Sequence, residues 1–427
     1  MADVQPLRAL HYDLDAVGPL DRVIAPPYDV IDAQRRQELA ARSPHNVVGI
    51  DLPEGEDPYA EAARLLAEWR DDRAIVRDEE PALWALSQDY RGPDGRDRVR
   101  RGFLCRVRIE DYGPGRIRPH ERTHPGPKED RLRLTRATRA NLSPIFSLFS
   151  DPGGAAAAAL EPAMAEEPWG EAADEEGTVN RLWRVADAGA IAAVQDALRD
   201  AELLIADGHH RYETARVFAE EVGGEGDHRY VLMCLVALED PGLTVFPTHR
   251  VLSGLRPDQH ETLAQALRRD FEIEEVAPDR ILPDGDGITR FGYMDAHFKR
   301  PFHLQLRDQS VADAALPDRA EAYRRLDTAV LEALVLKGAL EMTDDDISHL
   351  NGLAYAQDAE RVRAQLEAGE GDCAFFLRPT PVQQVREVAA AGESMPPKST
   401  FFHPKVPTGL VFHDLSGGEA GGGGETR

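Results

Sequence analysis

The stretch AELLIADGHHRYETARVFAEE, residues 201–221, decides the fold. Residues 203–206, LLIA, form a continuous apolar run that is too short for a helix and fits a fully buried strand. Gly208 tolerates backbone angles that are closed to other residues, and Asp207 before it is able to accept hydrogen bonds from the amides that follow. We therefore predict a tight strand-to-helix turn at residues 207–208.

The helix after this turn places three polar residues at its start. From Arg211 onward the apolar and small residues recur at helical spacing, at Ala215, Phe218 and Ala219. His209, His210 and Arg211 then lie near the first turn, where unpaired amides and the positive end of the helix dipole attract anions. A planar guanidinium grips two phosphate oxygens. A capped helix with surface histidines is the plainer alternative, but an acid, a glycine, two histidines and an arginine in sequence favour a phosphate site.

Length and charge bound the class of protein. A chain of 427 residues buries a large core and divides into two or three units. Its 76 acidic and 50 basic residues give a net charge of -26, which argues against a broad surface for duplex DNA or for an anionic membrane. No apolar run is long enough to span a bilayer, and the first residues lack the apolar core of a secretion signal. We expect a cytoplasmic protein with no membrane partner and no extensive nucleic-acid contact.

A basic segment interrupts this acidic chain. Residues 116–139 contain eight basic and three acidic residues, a local net charge of +5 that would concentrate anionic ligands. At its centre, His120, Glu121, Arg122, Thr123 and His124 form a cluster just before a Pro-Gly-Pro turn, which favours a site. The Glu121 carboxylate suits magnesium, which nucleotide phosphates bring with them. From residue 128 the segment is predicted to be helical, and for residues 131–139 a solvated face is an equally good interpretation.

A second candidate segment lies near the end of the chain. Residues 395–405, MPPKSTFFHPK, place Lys398, Ser399, Thr400 and Lys405 on a proline-stiffened loop. These are suitable groups to meet phosphate, although a lysine in such a loop is exposed by default. Residues 416–427 are rich in glycine and are predicted to be disordered.

Three other groups of residues permit two interpretations each. The stiff loop at residues 24–31 presents Tyr28 and Asp29, and a rigid connector is its better interpretation. His249 and Arg250 stand at a strand end, where a surface pair and a binding role are equally supported. The three cysteines are far apart in apolar runs, so buried thiols are favoured over a disulfide or a metal cluster.

Hydrophobic patterns place the main elements. Residues 230–238, YVLMCLVAL, are the most apolar run and should form a central strand. Residues 83–90 and 103–109 predict a hairpin joined through a polar turn at residues 92–95, and residues 44–53 predict a turn and a further strand. We predict an α+β protein of mixed sheets with flanking helices. It divides into an N-terminal α/β region (1–110), a core with the basic segment and the turn (111–255), a C-terminal α+β region (256–415) and the tail.

Four segments resemble a widespread bacterial and archaeal family catalogued as a domain of unknown function. They are APPYDV at residues 25–30, HERT at 120–123, DGHHRYETA at 207–215 and KSTFFHPK at 398–405, so the likeness covers nearly the whole chain. The family carries no settled activity to transfer.

The turn at residues 207–211 also resembles the glycine-histidine-arginine turn of the ParB/sulfiredoxin superfamily, which includes the free-serine kinases. The resemblance implies a ParB/sulfiredoxin-like core carrying a strand-turn-helix phosphate site. Because the free-serine kinases also place an acid before the glycine, it implies that Asp207 lies near a substrate hydroxyl. Gly208, His209, His210 and Arg211 would then meet nucleotide phosphates. The reactive cysteine of sulfiredoxin has no counterpart here, and the DNA-binding helices of ParB are not recognisable.

Together these features predict a nucleotide-dependent phosphotransferase acting on a small hydroxylated metabolite, with serine the first candidate. Phosphoryl transfer needs positioned charge and a base aligned with the hydroxyl, and either Asp207 or Glu121 could be that base. The expected cofactors are ATP or ADP and Mg²⁺, with Glu121 as the metal ligand. The predicted catalytic residues are Asp207, Glu121 and His210, and the predicted cofactor-binding residues are Gly208, His209, Arg211, Arg122, Thr123, His120, Lys398, Ser399 and Thr400. The alternatives are a ParB-like nucleotide switch and a phosphatase of a small ester such as phosphoserine.

Overall fold

The most apolar run of the chain forms an interior strand of the largest sheet, as its composition predicts. Residues 231–236 of this strand are all buried. The structure is a computed structural model that describes residues 2–92, 95–121, 125–285 and 287–417. The chain folds into two units, the first from residues 1–119, 123–244 and 404–427 and the second from residues 120–122 and 245–403. The division into residues 1–110, 111–255, 256–415 and a tail, which we proposed from the sequence, remains a prediction.

The strands are short apart from the hairpin and the interior strand. In chain order they are β1 (Val4–Gln5), β2 (Leu10–Tyr12), β3 (Ile75–Arg77), β4 (Leu83–Arg91), β5 (Asp97–Arg108), β6 (Ile117–Arg118), β7 (Ala140–Asn141), β8 (Ile145–Phe149), β9 (Gly170–Ala173), β10 (Val179–Val185), β11 (Leu203–Asp207), β12 (Tyr230–Ala237), β13 (Thr244–Phe246), β14 (His249–Leu252), β15 (Phe271–Glu275), β16 (Arg290–Asp295), β17 (Pro301–Leu306), β18 (Leu353–Ala356), β19 (Cys373–Phe376), β20 (Phe401–His403) and β21 (His413–Asp414).

The helices alternate with these strands. In chain order they are α1 (Leu14–Val17), α2 (Ala33–Arg42), α3 (Val48–Asp51), α4 (Pro58–Asp71), α5 (Pro125–Thr138), α6 (Ala155–Met164), α7 (Ala188–Ala197), α8 (His209–Val222), α9 (Pro257–Asp270), α10 (Gln309–Ala315), α11 (Glu321–Arg324), α12 (Asp327–Leu331), α13 (Asp344–His349), α14 (Ala359–Ala368) and α15 (Val382–Ala390). A π-helical segment, Glu332–Ala339, continues α12. None of the helices in the described ranges is long and apolar enough to cross a membrane.

The first unit is built on a mixed nine-stranded sheet. Its strand order is β6-β11-β8-β12-β5-β4-β10-β9, and β1 pairs with β5 outside this path. β12 runs parallel to β8 and antiparallel to β5, while β11 runs parallel to β6 and antiparallel to β8. The pairing of β11 with β8 is irregular between Ile205 and Asp207, where Asp207 lies opposite Phe146. Such a bulge turns the strand end and its side chain away from the regular ladder.

The second unit carries its own sheet and core. Six strands pair in the order β15-β17-β16-β19-β14-β18. Helices α9 and α12 and the π-helical segment supply much of the apolar core on one face, through Leu263, Leu267, Val330, Leu331 and Val335. The short strands β13 and β20 pair with each other in a two-stranded sheet of their own.

Mixed sheets with flanking helices confirm the predicted fold class. The hairpin is formed by β4 and β5, which are antiparallel, although residues 93 and 94 of its turn lie outside the described residues. Cys105, Cys234 and Cys373 are all buried free thiols, as predicted. The strand predicted within residues 44–53 is wrong, because residues 48–51 form helix α3.

Asn46 explains this error. Its side-chain oxygen accepts a hydrogen bond from the Val48 amide at 3.2 Å, and its side-chain nitrogen donates to the carbonyls of Arg22 and Ile24 at 2.8 and 3.2 Å. Asparagine at a helix start satisfies amides that would otherwise lack a partner. That local hydrogen bonding outweighs the strand preference of the valines and isoleucine that follow.

The strand predicted to present His249 and Arg250, which would run over residues 245–252, is divided in two. Pro247 lacks an amide hydrogen and interrupts the ladder, so β13 ends at Phe246 and β14 begins at His249. Most of the predicted glycine-rich tail, residues 418–427, lies outside the described residues.

Candidate functional site

A strand, a one-residue turn and a helix meet at Gly208, as the sequence predicts. Strand β11 ends at Asp207, and the 14-residue helix α8 begins at His209. Gly208 adopts φ 97° and ψ 27°, in the left-handed region that strongly favours glycine. His209 is buried at 5 % exposure and His210 is half-buried. The amides of the first turn of α8 are therefore close to Asp207.

We expected Asp207 to cap the helix, but it does not. The N-cap residue is Gly208, which makes no side-chain hydrogen bond to the helix. Instead, Asp207 Oδ2 accepts a hydrogen bond from Arg211 Nη2 at 2.6 Å, and Oδ1 accepts one from Lys405 Nζ. Hydrogen bonds between a carboxylate and a cation are about twice as strong as those between neutral groups. The two cations thus take the place of the backbone amides.

Arg211 is held on three sides. Its Nη1 donates to Ser143 Oγ at 2.6 Å and to the Pro144 carbonyl, and Ser143 Oγ also accepts a hydrogen bond from Thr408 Oγ1 at 2.9 Å. The guanidinium lies against Gly208, where an added Cβ would stand 3.0–3.2 Å from its atoms. Arg211 Nε is buried without an acceptor. The fork predicted to grip phosphate is thus directed to protein groups.

The two neighbouring cations control the ionisation of Asp207. Burial alone would raise the pKa of the Asp207 carboxyl, but Lys405 and Arg211 outweigh burial and hold that pKa well below its usual range. The side chains of Asp207, Arg211 and Lys405 are 15 %, 11 % and 18 % exposed, so each retains access to solvent. One carboxylate between two cations leaves a net positive charge beside the positive end of α8, which favours an anion.

Arg211 also lines a small cavity. It measures about 40 Å³ and is lined by Tyr28, Asp51, Arg131, Asn141, Ser143 and Arg211 together with apolar residues of α5 and α8. A water needs about 10–15 Å³ of such volume, so the cavity holds about three water-sized groups.

Arg131 organises this cavity. Its Nη1 donates to Asp51 Oδ1 at 3.0 Å and to the Asp51 carbonyl at 2.8 Å, and its guanidinium lies 4.5 Å from the centre of the Tyr28 ring. Burial raises the pKa of the Asp51 carboxyl and of the Tyr28 phenol, and Arg131 and Arg211 oppose both shifts. Sequence reasoning missed this group, because it favoured a rigid connector for Tyr28 and treated a solvated face as equally good for Arg131. The APPYDV segment was the available signal.

The second unit contains five other predicted residues, His120, Glu121, Lys398, Ser399 and Thr400. His120 is fully buried, with Nε2 at 2.9 Å from Thr400 Oγ1 and 3.9 Å from Glu121 Oε1. Ser399 is buried, and its Oγ donates to the Pro396 carbonyl at 2.7 Å. Lys398 is exposed, with φ 54°. Arg122, Thr123 and His124 lie outside the described residues. The structure thus joins His120 to Thr400 in one unit and Asp207, Gly208, Arg211 and Lys405 in the other.

His249 and Arg250 are not a surface pair. They are 0 % and 3 % exposed. The Leu377 amide donates to His249 Nδ1 at 3.2 Å, so the neutral ring carries its proton on Nε2, and that nitrogen is buried without an acceptor. Burial lowers the pKa of His249 to about 4. Arg250 Nη2 donates to the Pro397 carbonyl at 3.1 Å.

In the described part of the chain, no group of three or more His, Cys, Asp or Glu side chains is arranged to hold a metal ion. Asp207 is poorly suited to the task, because each of its oxygens already faces a cation. Glu121 has one oxygen 3.9 Å from His120 and is 30 % exposed. A single carboxylate of this kind fits magnesium that is otherwise held by phosphates and water.

The chain belongs to a family described as "Protein of unknown function (DUF1015)", whose model matches residues 4–329. This confirms the resemblance to a family without a known activity. No curated protein matches the chain.

Several solved structures are similar to it at low identity. A conserved hypothetical protein from Pyrococcus furiosus has 16 % identity and a TM-score of 0.34, with 68 % of this chain and 89 % of that chain covered. A free serine kinase in complex with AMP has 16 % identity and a TM-score of 0.34, with 67 % and 83 % covered. SbnI with a C-terminal truncation, from Staphylococcus aureus, has 13 % identity and a TM-score of 0.34, with 74 % and 83 % covered. Likeness at this level carries no argument about activity.

Proposed function

We propose that this protein is a nucleotide-dependent phosphotransferase that acts on a small hydroxylated metabolite, with serine the first candidate. One observation carries the proposal: Asp207 holds Arg211 and Lys405 together beside the start of helix α8. The resemblance of the turn at residues 207–211 to that of the free-serine kinases supports the same assignment.

The two cations have different roles in this proposal. Arg211 is fixed by Ser143 and Pro144 as well as by Asp207, so it sets the position of the carboxylate. The Lys405 side chain is long and flexible, and its ammonium donates a hydrogen bond to Asp207 Oδ1. A phosphate group beside α8 competes with Asp207 for the Lys405 ammonium. The helix dipole and the net positive charge of the trio favour that exchange.

Asp207 then receives the acceptor hydroxyl. When Lys405 moves to the phosphate, Asp207 Oδ1 becomes available to accept a hydrogen bond from the substrate. Its depressed pKa keeps it ionised throughout the neutral range. Phosphoryl transfer passes through a loose transition state, so the acceptor needs an aligned hydrogen-bond acceptor more than a strong base. Asp207 meets that need, and Glu121 remains the alternative base proposed from the sequence.

ATP or ADP is the proposed donor, and magnesium accompanies its phosphates. Glu121 is the proposed protein ligand for the metal. His209, His210 and Gly208 are proposed to meet phosphate oxygens at the start of α8, where the backbone amides point along the helix axis. The remaining proposed contacts are Arg122, Thr123, His120, Lys398, Ser399 and Thr400.

The test is a turnover assay with matched lysine variants. The protein is incubated with ATP or ADP, Mg²⁺ and serine, and phosphoserine and free phosphate are followed by ³¹P NMR. The wild type should form phosphoserine. Lys405→Met should reduce kcat/KM by about 100-fold or more, the usual loss when one charged donor is removed from a reacting group. Lys337→Met is the control, because Lys337 is also paired with carboxylates, at 2.7 Å from Glu332 and from Asp344.

The alternatives give different products in the same assay. Nucleotide loss that needs no acceptor would favour a nucleotide switch. Release of phosphate from phosphoserine without nucleotide would favour a phosphatase. Either result, or equal activity in the Lys405→Met and Lys337→Met variants, contradicts the proposed transfer.

A further inference from the structure

Arg100 is a buried cation without a matching anion. It is 1 % exposed on strand β5, and no carboxylate in the described ranges forms an ion pair with it. Asp240 acts on it electrostatically, but the oxygens of Asp240 accept hydrogen bonds from the Arg101 and Gly242 amides at 3.2 and 2.9 Å. Burial lowers the pKa of Arg100 to about 10, so the guanidinium is still charged at neutral pH. Burying such a charge is unfavourable unless it is compensated.

The Arg100 guanidinium donates its hydrogen bonds to one neutral group, the Gln88 side chain. Its Nε donates to Gln88 Oε1 at 3.1 Å, its Nη2 donates to the same oxygen, and its Nη1 is buried without an acceptor. The guanidinium lies 4.5 Å from the centre of the Phe146 ring, and Phe146 is the residue opposite Asp207 on strand β8. Simple structural satisfaction of an arginine would not leave a nitrogen unpaired in the core.

Gln88 passes the constraint on. An arginine has only donors, so the oxygen of the Gln88 carboxamide must face it and the nitrogen must face away. Gln88 Nε2 donates to Asn180 Oδ1 at 2.8 Å and to the Lys405 carbonyl at 3.1 Å. Asn180 Nδ2 in turn donates to the Ala172 carbonyl at 3.3 Å. In this series of hydrogen bonds each carboxamide can point only one way, because Arg100 requires an oxygen of Gln88 to face it.

We infer that Arg100 is a positioning residue: through Gln88 it fixes the backbone at Lys405 and so places the Lys405 ammonium on Asp207. The geometry of this inference does not depend on the proposed function, but its effect on a ligand rests on the proposed phosphate site. The buried charge of Arg100 is unfavourable for the fold. It is retained because the guanidinium, which can only donate, keeps the Gln88 Nε2 directed at the Lys405 carbonyl. A purely structural Arg100 would fill the core and leave Lys405 unaffected.

The substitution Gln88→Glu separates the two roles. It gives Arg100 the carboxylate that it lacks, so a structural role predicts a protein of equal or higher melting temperature with an unchanged site. It also places an oxygen against the Lys405 carbonyl. Asn180 is able to relieve its own contact by turning its carboxamide, whereas the Lys405 carbonyl has no such freedom. The positioning role therefore predicts a displaced Lys405 in a stable protein.

The chain offers a matched control in Gln305. Gln305 Oε1 accepts from both Nε and Nη2 of Arg290, with the Nε bond at 3.1 Å, so Gln305→Glu creates the same arginine–glutamate pair on strands β16 and β17 of the second unit. We expect a crystal structure of the full-length Gln88→Glu protein to show Lys405 Nζ beyond hydrogen-bond distance of Asp207 Oδ1. Gln305→Glu should keep the wild-type contact between these two atoms.

Two measurements distinguish the possible failures. A Lys405 ammonium still bound to Asp207 in Gln88→Glu overturns the positioning role of Arg100. Inorganic phosphate binding, measured by calorimetry, should weaken about tenfold in the same variant. A displaced Lys405 with unchanged phosphate binding would retain the positioning role and overturn the proposed phosphate site. If Gln88→Glu fails to fold, Gln88→Met, which removes the hydrogen bond to Lys405 without adding charge, should displace Lys405 in the same way, and an unmoved Lys405 overturns the inference.

Discussion

Gly208 is constrained by its backbone and by its surroundings at once. Its φ of 97° lies in the left-handed region, and the Arg211 guanidinium occupies the space that a side chain would need. Glycine at this turn therefore allows both the change of direction after β11 and the close approach of Arg211 to Asp207. The local sequence predicted the first of these functions and not the second.

The substitution Gly208→Ala tests this double constraint. Gly154 is a matched control, because it is also a left-handed N-cap residue, with φ 66° at the start of α6, and an added Cβ there meets nothing within 4 Å. Gly154→Ala should lower the free energy of unfolding by about 1–2 kcal/mol, the usual penalty of the left-handed conformation. Gly208→Ala should lower it by about 1–3 kcal/mol more, through the clash with Arg211. Urea denaturation measures both, and equal losses would show that Arg211 does not press on Gly208.

The partners of Asp207 show what a sequence predicts at the level of single residues. The strand-to-helix turn was predictable because its signals, an apolar run followed by Asp-Gly, lie within a few residues. The partners of the trio were not, since Ser143 is 68 residues from Arg211 and Lys405 is 198 residues from Asp207. Lys405 was recognised as a phosphate-type group in its own segment, yet nothing in that segment indicates which carboxylate it meets.

At the level of elements, helix α5 shows how a charge run conceals two kinds of arginine. Arg131 and Arg133 are both paired with acids, but the side chains of Arg131 and Asp51 are 7 % and 6 % exposed, whereas those of Arg133 and Glu129 are 58 % and 56 % exposed. The sequence of the segment is basic throughout and contains no clear apolar stripe. The buried face became apparent only when Asp51 of helix α3 was placed against it.

This contrast gives a prediction for α5. Arg131→Leu should lower the free energy of unfolding by about 3–5 kcal/mol, because it leaves the buried Asp51 without its cation. Arg133→Leu should change it by no more than about 0.5 kcal/mol, as expected for an exposed helical pair. Thermal or urea denaturation of both variants decides the matter. A loss in Arg131→Leu as small as that in Arg133→Leu would mean that the Asp51 pair contributes little to the fold.

Helix α3 marks the limit of patterns at this scale. Val47, Val48 and Ile50 indicate a strand, and the single side chain of Asn46 reverses that preference by accepting a hydrogen bond from the Val48 amide. The strand β12 was predictable because its apolar run is long and uniform. A four-residue element has too few positions for periodicity to decide.

Across the whole molecule, the C-terminal segment returns to the first unit. Residues 404–427 belong to it, and strand β21 pairs with β7, whose residues lie far earlier in the chain. This return brings Lys405 to Asp207. The amino-acid composition does not predict it, because a pairing between distant segments depends on packing rather than on local sequence. The mixed sheets and buried cysteines, in contrast, follow from apolar patterns alone.

The proposed anion site lies where β11 meets α8, beside Asp207, Arg211 and Lys405. The most direct measurement is a crystal structure of the wild-type protein soaked with ADP and Mg²⁺. It should show phosphate oxygens within hydrogen-bond distance of the first amides of α8 and of Lys405 Nζ, with Lys405 moved off Asp207. Nucleotide bound elsewhere, or Lys405 still on Asp207 beside a turn that holds no phosphate, would contradict the claim.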